Sequence, residues 1–205
     1  MSYFKQDWIP KYLKKEPSVI LDIGSGNGAE SLGFKNRYKN SKVVCFEADP
    51  CLYEKIKQTV NTRKFDIDVQ NLAICDFDGE IEFYSVINHT KGAGSIHRPT
   101  KKMARHHPEI KFNESTKVQC SRIDTFCKKN LINEIDLIHM DIQSAEYRAL
   151  IGVGDMRPKM IFLEVSLEFK GYYENSEKRT SEKLTEMGYL LAEKIKGDEL
   201  WILKN

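Results

Sequence analysis

Short apolar runs alternate with amphipathic stretches along almost the whole of this chain. Val19–Ile23, Val43–Glu47, residues 67–74, Ile135–Met140 and Met160–Val165 have strand length and are nearly continuous in apolar character. Between them, Leu32, Phe34 and Tyr38 (residues 27–38) and Leu52, Ile56 and Val60 (after Pro50) fall at helical spacing. Pro50 suits the first turn of a helix, where a missing N–H costs little. Phe4, Trp8, Ile9, Tyr12 and Leu13 make one apolar face of a helix over residues 4–14, which Pro17 ends. Further helices are expected at 124–130, at 144–151 before Gly152 and Gly154, and at 177–187 before Gly188. Strands alternating with helices give a doubly wound, mostly parallel sheet.

Two regions break the pattern. Residues 80–86 alternate polar and apolar, follow a turn signal at Asp76-Phe-Asp-Gly79, and can pair with Val118–Ile123. Tyr189–Glu193 and Leu200–Leu203 flank a turn at Lys196–Asp198 and read as a β-hairpin on the sheet edge. The expectation is a single α/β domain over residues 1–205, with seven strands in the sheet and an antiparallel C-terminal hairpin.

The first two apolar runs carry the chemistry. Val19-Ile-Leu-Asp-Ile-Gly-Ser-Gly-Asn-Gly28 runs a strand into three alternating glycines, and Val43-Val-Cys-Phe-Glu-Ala-Asp-Pro50 ends a second strand on a carboxylate. This is the layout of a Rossmann-like nucleoside site. Glycines let the ligand approach the backbone, and Glu47 can accept bonds from both ribose hydroxyls. The turn reads as Gly24-x-Gly26-x-Gly28 or, with Ala29, as a dinucleotide fingerprint. Asp22, just before the glycines, would repel a pyrophosphate and attract the cationic groups of S-adenosylmethionine. Asn27 serves as a helix N-cap. Both favour S-adenosylmethionine over a dinucleotide.

In open α/β sheets, ligands bind outside the carboxyl ends of the strands. The polar residues there are Asp22, Glu47, Asn71, Asp141 and Glu164. In Asp141-Ile-Gln-Ser-Ala-Glu146, the three groups Asp141, Gln143 and Glu146 converge on one crevice. The alternative for Glu146 is a helix-capping carboxylate with Ser144 as the cap. Mg²⁺ is an option for these oxygens, but no metal is expected.

With 205 residues, 40% of them hydrophobic and 30% charged, the chain fits one soluble domain. It shows neither a membrane-length apolar run nor the order of a secretion signal, and five cysteines without C-x-x-C spacing read as free thiols. A cytoplasmic protein is expected. The net charge of +2 hides a cluster. Between residues 88 and 117 lie Lys91, Arg98, Lys101, Lys102, Arg105, Lys111 and Lys117, with His89, His97, His106 and His107, against Glu109 and Glu114. This insertion is too long for an ordinary connection, so it reads as a lid, a substrate loop or disorder. Its charge could attract an anionic substrate or nucleic acid, although a solvated loop is the plainer reading.

The sequence resembles class I S-adenosylmethionine-dependent methyltransferases, and more narrowly the FkbM-type family. The resemblance rests on residues 21–28, Phe46-Glu-Ala-Asp-Pro50, residues 71–79, Arg122-Ile-Asp-Thr-Phe126, residues 135–146 and Ile161-Phe-Leu-Glu-Val165, in family order. Ser144 stands where the family usually has glycine, and His139 where it often has lysine. The resemblance implies O-methylation of a hydroxylated small molecule or sugar. Cofactor contacts are expected from Asp22, Gly24, Ser25, Gly26, Asn27, Gly28, Glu47, Ala48, Asn71, Leu72, Ala73, Asp141 and Gln143. Candidate general bases are Asp141, His97 and Glu164. Asp141-Ile-Gln-Ser lacks the prolines of base N-methyltransferases. RNA ribose methylation, an NAD(P)-dependent oxidoreductase and a non-catalytic nucleoside-binding domain remain the other readings. No membrane partner is expected.

Overall fold

A computed structural model describes residues 3–87, 92–165, 167, 170–175 and 179–204. The chain begins with α1 (Trp8–Leu13), β1 (Val19–Ile23), α2 (Ala29–Arg37), β2 (Lys42–Phe46), α3 (Pro50–Arg63) and β3 (Ile67–Gln70). A middle section follows: β4 (Ala73–Ile74), β5 (Gly79–Phe83), α4 (Lys101–His106), β6 (Thr116–Ser121) and α5 (Ile123–Lys129). The remainder is β7 (Leu137–Met140), α6 (Glu146–Gly152), β8 (Met160–Glu164), α7 (Thr180–Glu186), β9 (Tyr189–Ile195) and β10 (Asp198–Leu203).

The expected fold class is observed. Seven strands form one sheet in the order β3-β2-β1-β7-β8-β10-β9. The first five are parallel, and β10 runs antiparallel to both β8 and β9. Because side chains alternate along a strand, the sheet has two apolar faces. Leu21, Ile23, Val44 and Phe46 pack with α5, α6 and α7. Ile20, Val43 and Cys45 pack on the other face with Trp8, Phe34, Ile56 and Val60 from α1–α3. Strand order reverses between β1 and β7, so their carboxyl ends, Ile23 and Met140, open the crevice where this fold binds ligands.

The expected strand over residues 67–74 proves to be two. Asn71 leaves the main sheet and its amide donates to the carbonyls of Glu47 (2.9 Å) and Ala48 (3.2 Å). The chain then enters a second, three-stranded sheet, β4-β6-β5. Pairing of β5 with β6 is antiparallel, as the alternation at 80–86 suggested.

Helix starts also differ from the sequence reading. α1 begins at Trp8, and Phe4 before it packs edge-on against Trp8 and Phe34. Gly28, in a left-handed conformation, caps α2; Asn27 lies outside that position, and its Oδ1 accepts from Ala29 N–H at 3.0 Å. Ala145 rather than Ser144 precedes α6, and Glu146 Oε1 accepts from Ile142 N–H at 3.0 Å. No side chain caps α6; Glu146 instead ties the helix start back to the loop that follows β7. α7 starts at Thr180, and residues 177–178 of the expected helix lie outside the described residues.

The basic insertion is not a featureless loop where it is described. Ser95 bridges to Tyr84, Phe112 to Val86, and Pro99 to Tyr173. Thr100 caps α4, accepting from Met103 N–H. His89 and Lys91 of the charge cluster lie outside the described residues. All five cysteines are free, with only Cys51 exposed. Among the described residues, no helix is long and apolar enough to cross a membrane.

Candidate active site

Strand ends set the geometry of the crevice. The ladder continues one residue beyond each strand: Asp141 N–H donates to Ile23 C=O, Gly24 N–H to Phe46 C=O, and Glu47 N–H to Gln70 C=O, each at 3.0 Å. Asp141, Gly24 and Glu47 are thereby fixed side by side at the switch point. Gly24 must be glycine. Its φ is +80°, and a Cβ there would stand 2.1 Å from the Asp141 carbonyl oxygen. Gly26 (φ +58°) is different, because nothing lies within 4 Å of the position a Cβ would take. That space is the cleft itself. Gly24→Ala should therefore fail to fold or lose several degrees of melting temperature. Gly26→Ala should cost only about 1–2 kcal/mol of backbone strain while lowering nucleoside affinity at least tenfold. Thermal melts and calorimetry separate the two, and equal stability losses in both variants would contradict this division.

Glu47 is buried. Its Oε2 accepts from Gly26 N–H (2.7 Å) and its Oε1 from Asp49 N–H (2.8 Å). Burial pushes its pKa up to about 7, although both backbone donors favour the charged form. Asp49 also caps α3, accepting from Cys51 and Leu52 N–H, with Pro50 at the first turn. One carboxylate thus links the glycine turn of β1 to the start of α3.

Asp22 does not line the cleft. It lies on the α1–α2 face beneath the turn, in register with His139 of β7, which pairs in turn with Phe162 of β8. Its Oδ2 accepts from Ser31 Oγ, and Oδ1 lies 2.9 Å from His139 Nδ1. The His139 ring stacks on Phe162 (centroids 5.2 Å apart) and meets Phe4 and Phe34 edge-on. Burial opposes both charges. The mutual hydrogen bond and attraction outweigh it, holding Asp22 below and His139 above their usual values.

The stability contributed by His139 is complete below about 6.5 and is lost as pH rises through its elevated pKa. The part from Asp22 is present above 3.8 and is lost as pH falls through its depressed value. His139→Leu strands a buried carboxylate and should cost about 3–5 kcal/mol at pH 7. It should also remove the alkaline decline of the melting temperature, and an unchanged pH–stability curve would contradict the pairing.

Asp141 is half-buried on the cleft wall. Burial first, then the neighbouring charge of Glu164, raises its pKa to about 6. Gln143 Nε2 donates to its Oδ1 at 2.6 Å. Glu164 stands close enough to act on Asp141 electrostatically but does not line the cleft, and neither does His97. His97 is buried, and its Nε2 meets no partner among the described residues. Burial and then the Arg148 charge push its pKa down to about 4, so its ring is neutral at pH 7.

The cleft holds about 590 Å³ of empty space, the open solvent at its mouth included. Of the residues expected from sequence, Gly24, Gly26, Glu47, Ala48, Leu72, Ala73 and Asp141 line it. Asn71 lies behind Glu47 and Ala48, while Ser25, Asn27, Gly28 and Gln143 support the walls without lining them. Sequence reasoning missed Asp49, Leu52, Ile74, Ile142 and Ala145, and Phe83, Val86 and Ile96 from the second sheet and the insertion. Only Asp49 had a legible signal, since Asp-Pro at a helix start is a capping pattern.

These features fit a nucleoside. The backbone is open at Gly26, a carboxylate ends the second strand beside it, and the remaining wall is largely apolar. Together with the closing antiparallel hairpin they define the fold and cleft of a nucleoside-dependent methyltransferase. The chain belongs to the FkbM methyltransferase family, whose domain model, Methyltransferase FkbM domain, matches residues 22–191. The methyl donor implied by that membership is S-adenosylmethionine, which sets aside the dinucleotide oxidoreductase.

The chain is 27% identical over 175 residues to the 2-O-methyltransferase NoeI of Sinorhizobium fredii (strain NBRC 101917 / NGR234), covering 81% of this chain and 70% of that one. Its fold is similar to that of precorrin-6y C5,15-methyltransferase from Geobacter metallireducens GS-15 (TM-score 0.51, 13% identity, 96% of this chain and 84% of that one). It is also similar to WbdD, solved with the kinase inhibitor LY294002 (TM-score 0.50, 11% identity, 97% of this chain). The chain spans 38% of WbdD's length. At such identities these likenesses concern the fold alone.

Proposed function

We propose that this protein O-methylates a hydroxyl of a small-molecule or sugar acceptor that carries negative charge, with Asp141 as the general base. The observation that carries this reading is the Asp141 carboxylate on the cleft wall beside Gly24, with a pKa raised to about 6. A base poised near neutrality suits removal of a hydroxyl proton. Asp141 ranks ahead of Glu164 and His97 because only it lines the cleft. The relative NoeI is a 2-O-methyltransferase, which agrees with a hydroxyl acceptor.

When bound, S-adenosylmethionine supplies a methyl group activated by its sulfonium. The residues of this chain do the rest. Glu47, with the open backbone at Gly26, holds the ribose, while Leu72 and Ala73 flank the base. Asp141 orients the acceptor hydroxyl and takes its proton. Phe83, Val86 and Ile96 close an apolar wall that excludes water.

The insertion supports an anionic acceptor. Arg98, Lys101, Lys102, Arg105 and Lys111 are exposed there, near only Glu109 and Glu114 in sequence. Lys101 follows the cleft residue Ile96 by five positions, so it lies within roughly 18 Å of the wall. Incubation with radiolabelled S-adenosylmethionine and a panel of monosaccharides, sugar phosphates and uronic acids tests the proposal. Label should appear as a methyl ether, fastest on the acidic members and more slowly as salt is raised. Transfer only to RNA, or to nitrogen, would contradict it.

A further inference from the structure

Gln143 sits where three parts of the molecule meet. Its Nε2 donates to Asp141 Oδ1 at 2.6 Å, its backbone carbonyl accepts from Ser95 Oγ at 2.8 Å, and its Oε1 lies 3.4 Å from Tyr173 OH. The orientation of the amide is forced by chemistry, because a carboxylate only accepts and so must face the NH₂ end. Tyr173 has one proton, and Ala93 C=O takes it at 2.8 Å, leaving Gln143 as the weaker, alternative acceptor.

Ser95 and Ala93 belong to the insertion, and Tyr173 to the segment following β8. Those two segments are stitched to each other as well. Glu174 N–H donates to Arg98 C=O and Thr100 N–H to Tyr172 C=O, both at 2.8 Å. Residues 93–100 therefore form a strap, paired to Tyr84 through the Ser95 backbone, pinned by residues 171–174 and tied to Gln143 through Ser95 Oγ. Ile96, within the strap, lines the cleft. Gln143 itself adopts φ +56°, which a non-glycine residue holds only where its surroundings impose it.

We propose that Gln143 is a positioning residue that couples the seating of this strap to the orientation of the Asp141 carboxylate. This rests on Asp141 acting as the base. With the strap seated, Ser95 holds the Gln143 backbone and the side chain holds Oδ1, which leaves Oδ2 as the oxygen presented to an acceptor. With the strap lifted, Ser95 Oγ leaves the Gln143 carbonyl and Ala93 C=O leaves Tyr173, so the loop that aims the amide at Asp141 loses its anchor on the strap. The base is thus aligned only when the acceptor side of the cleft is closed, which keeps water from the reacting hydroxyl. The charged and titratable groups around Asp141 are Glu164 at the end of β8, His139 on β7, Glu146 at the start of α6, and Tyr173.

The test follows the Asp141 carboxyl carbon by NMR titration in the ligand-free protein, the signal being assigned by its loss in Asp141→Asn. Gln143→Met removes a donor to the charged form, so the midpoint should rise by about half to one pH unit, a three- to tenfold change in the proton equilibrium. S-adenosylhomocysteine affinity should stay within about twofold. Ser95→Ala and Tyr173→Phe should speed hydrogen–deuterium exchange across residues 93–100 and shift the midpoint part of the way. A midpoint unmoved in Gln143→Met would overturn the coupling, as would a strap loosened by Ser95→Ala with no shift. Retained turnover in Asp141→Asn would instead remove the base assignment, and the titration would still report whether Gln143 and the strap are linked.

Discussion

Glu47→Gln is expected to weaken uptake of S-adenosylhomocysteine about a hundred- to a thousandfold. Each carboxylate oxygen already accepts one backbone N–H, from Gly26 and Asp49, and keeps a second lone pair for a ribose hydroxyl. The amide offers a single acceptor oxygen and turns its NH₂ toward a backbone donor. Hydrogen bonds to charged groups are worth about 1.5–3 kcal/mol each and neutral ones about 0.5–1.5; one is lost and the other becomes neutral, about 2.5–4.5 kcal/mol in all. At about 1.4 kcal/mol per decade this gives the stated range.

Uptake should also depend on pH. The free carboxylate titrates at about 7, so affinity should strengthen from pH 6 to pH 8. Stability moves the other way. A pKa raised above the usual 4.5 contributes stability present below that value and lost as pH rises through about 7. The ligand-free protein should thus lose stability over the interval in which its affinity improves. Calorimetry at several pH values measures the first effect and thermal melts the second. Affinity within threefold of wild type in Glu47→Gln would remove this role for the residue.

Asp141→Asn has the second large effect. The side chain keeps its size and can still meet Gln143, but it cannot take a proton. Turnover should fall by about 10²–10⁴, with S-adenosylhomocysteine affinity within about threefold of wild type. In the wild-type protein, the rate at saturating acceptor should rise through a limb near pH 6, where the carboxylate ionises, and in the variant that limb should vanish. A parallel loss of nucleoside uptake would make Asp141 a binding residue instead. Undiminished turnover would leave the hydroxyl without this base.

The sheet was legible because its central strands are buried on both faces, and such strands read as unbroken apolar runs. Gly24, Gly26 and Glu47 could be placed from one segment each, since their roles follow from local backbone geometry at strand ends. Asp22 shows where this reasoning stops. Its position before the glycines suggested that it faced the ligand, yet strand alternation turns it under the turn toward His139, a partner 117 positions away. The split of β3 from β4 was equally hidden, because Asn71 turns the chain through bonds to carbonyls that no periodicity announces. The apolar cleft wall comes from six separate segments whose residues look like ordinary core. Gln143 could be located at the site, but its link to Ser95 and Tyr173 joins three stretches that only the fold brings together.

The central claim is that one cleft at the β1–β7 switch holds the nucleoside on Glu47 and presents Asp141 to the group being transferred. A crystal structure of the protein with S-adenosylhomocysteine tests it most directly. The ribose hydroxyls should lie within hydrogen-bond reach of Glu47, the chain of the ligand should pass over Gly26, and the sulfur should point into the space bordered by Asp141. A nucleoside found elsewhere, or one seated with its sulfur turned away from Asp141, would contradict the account.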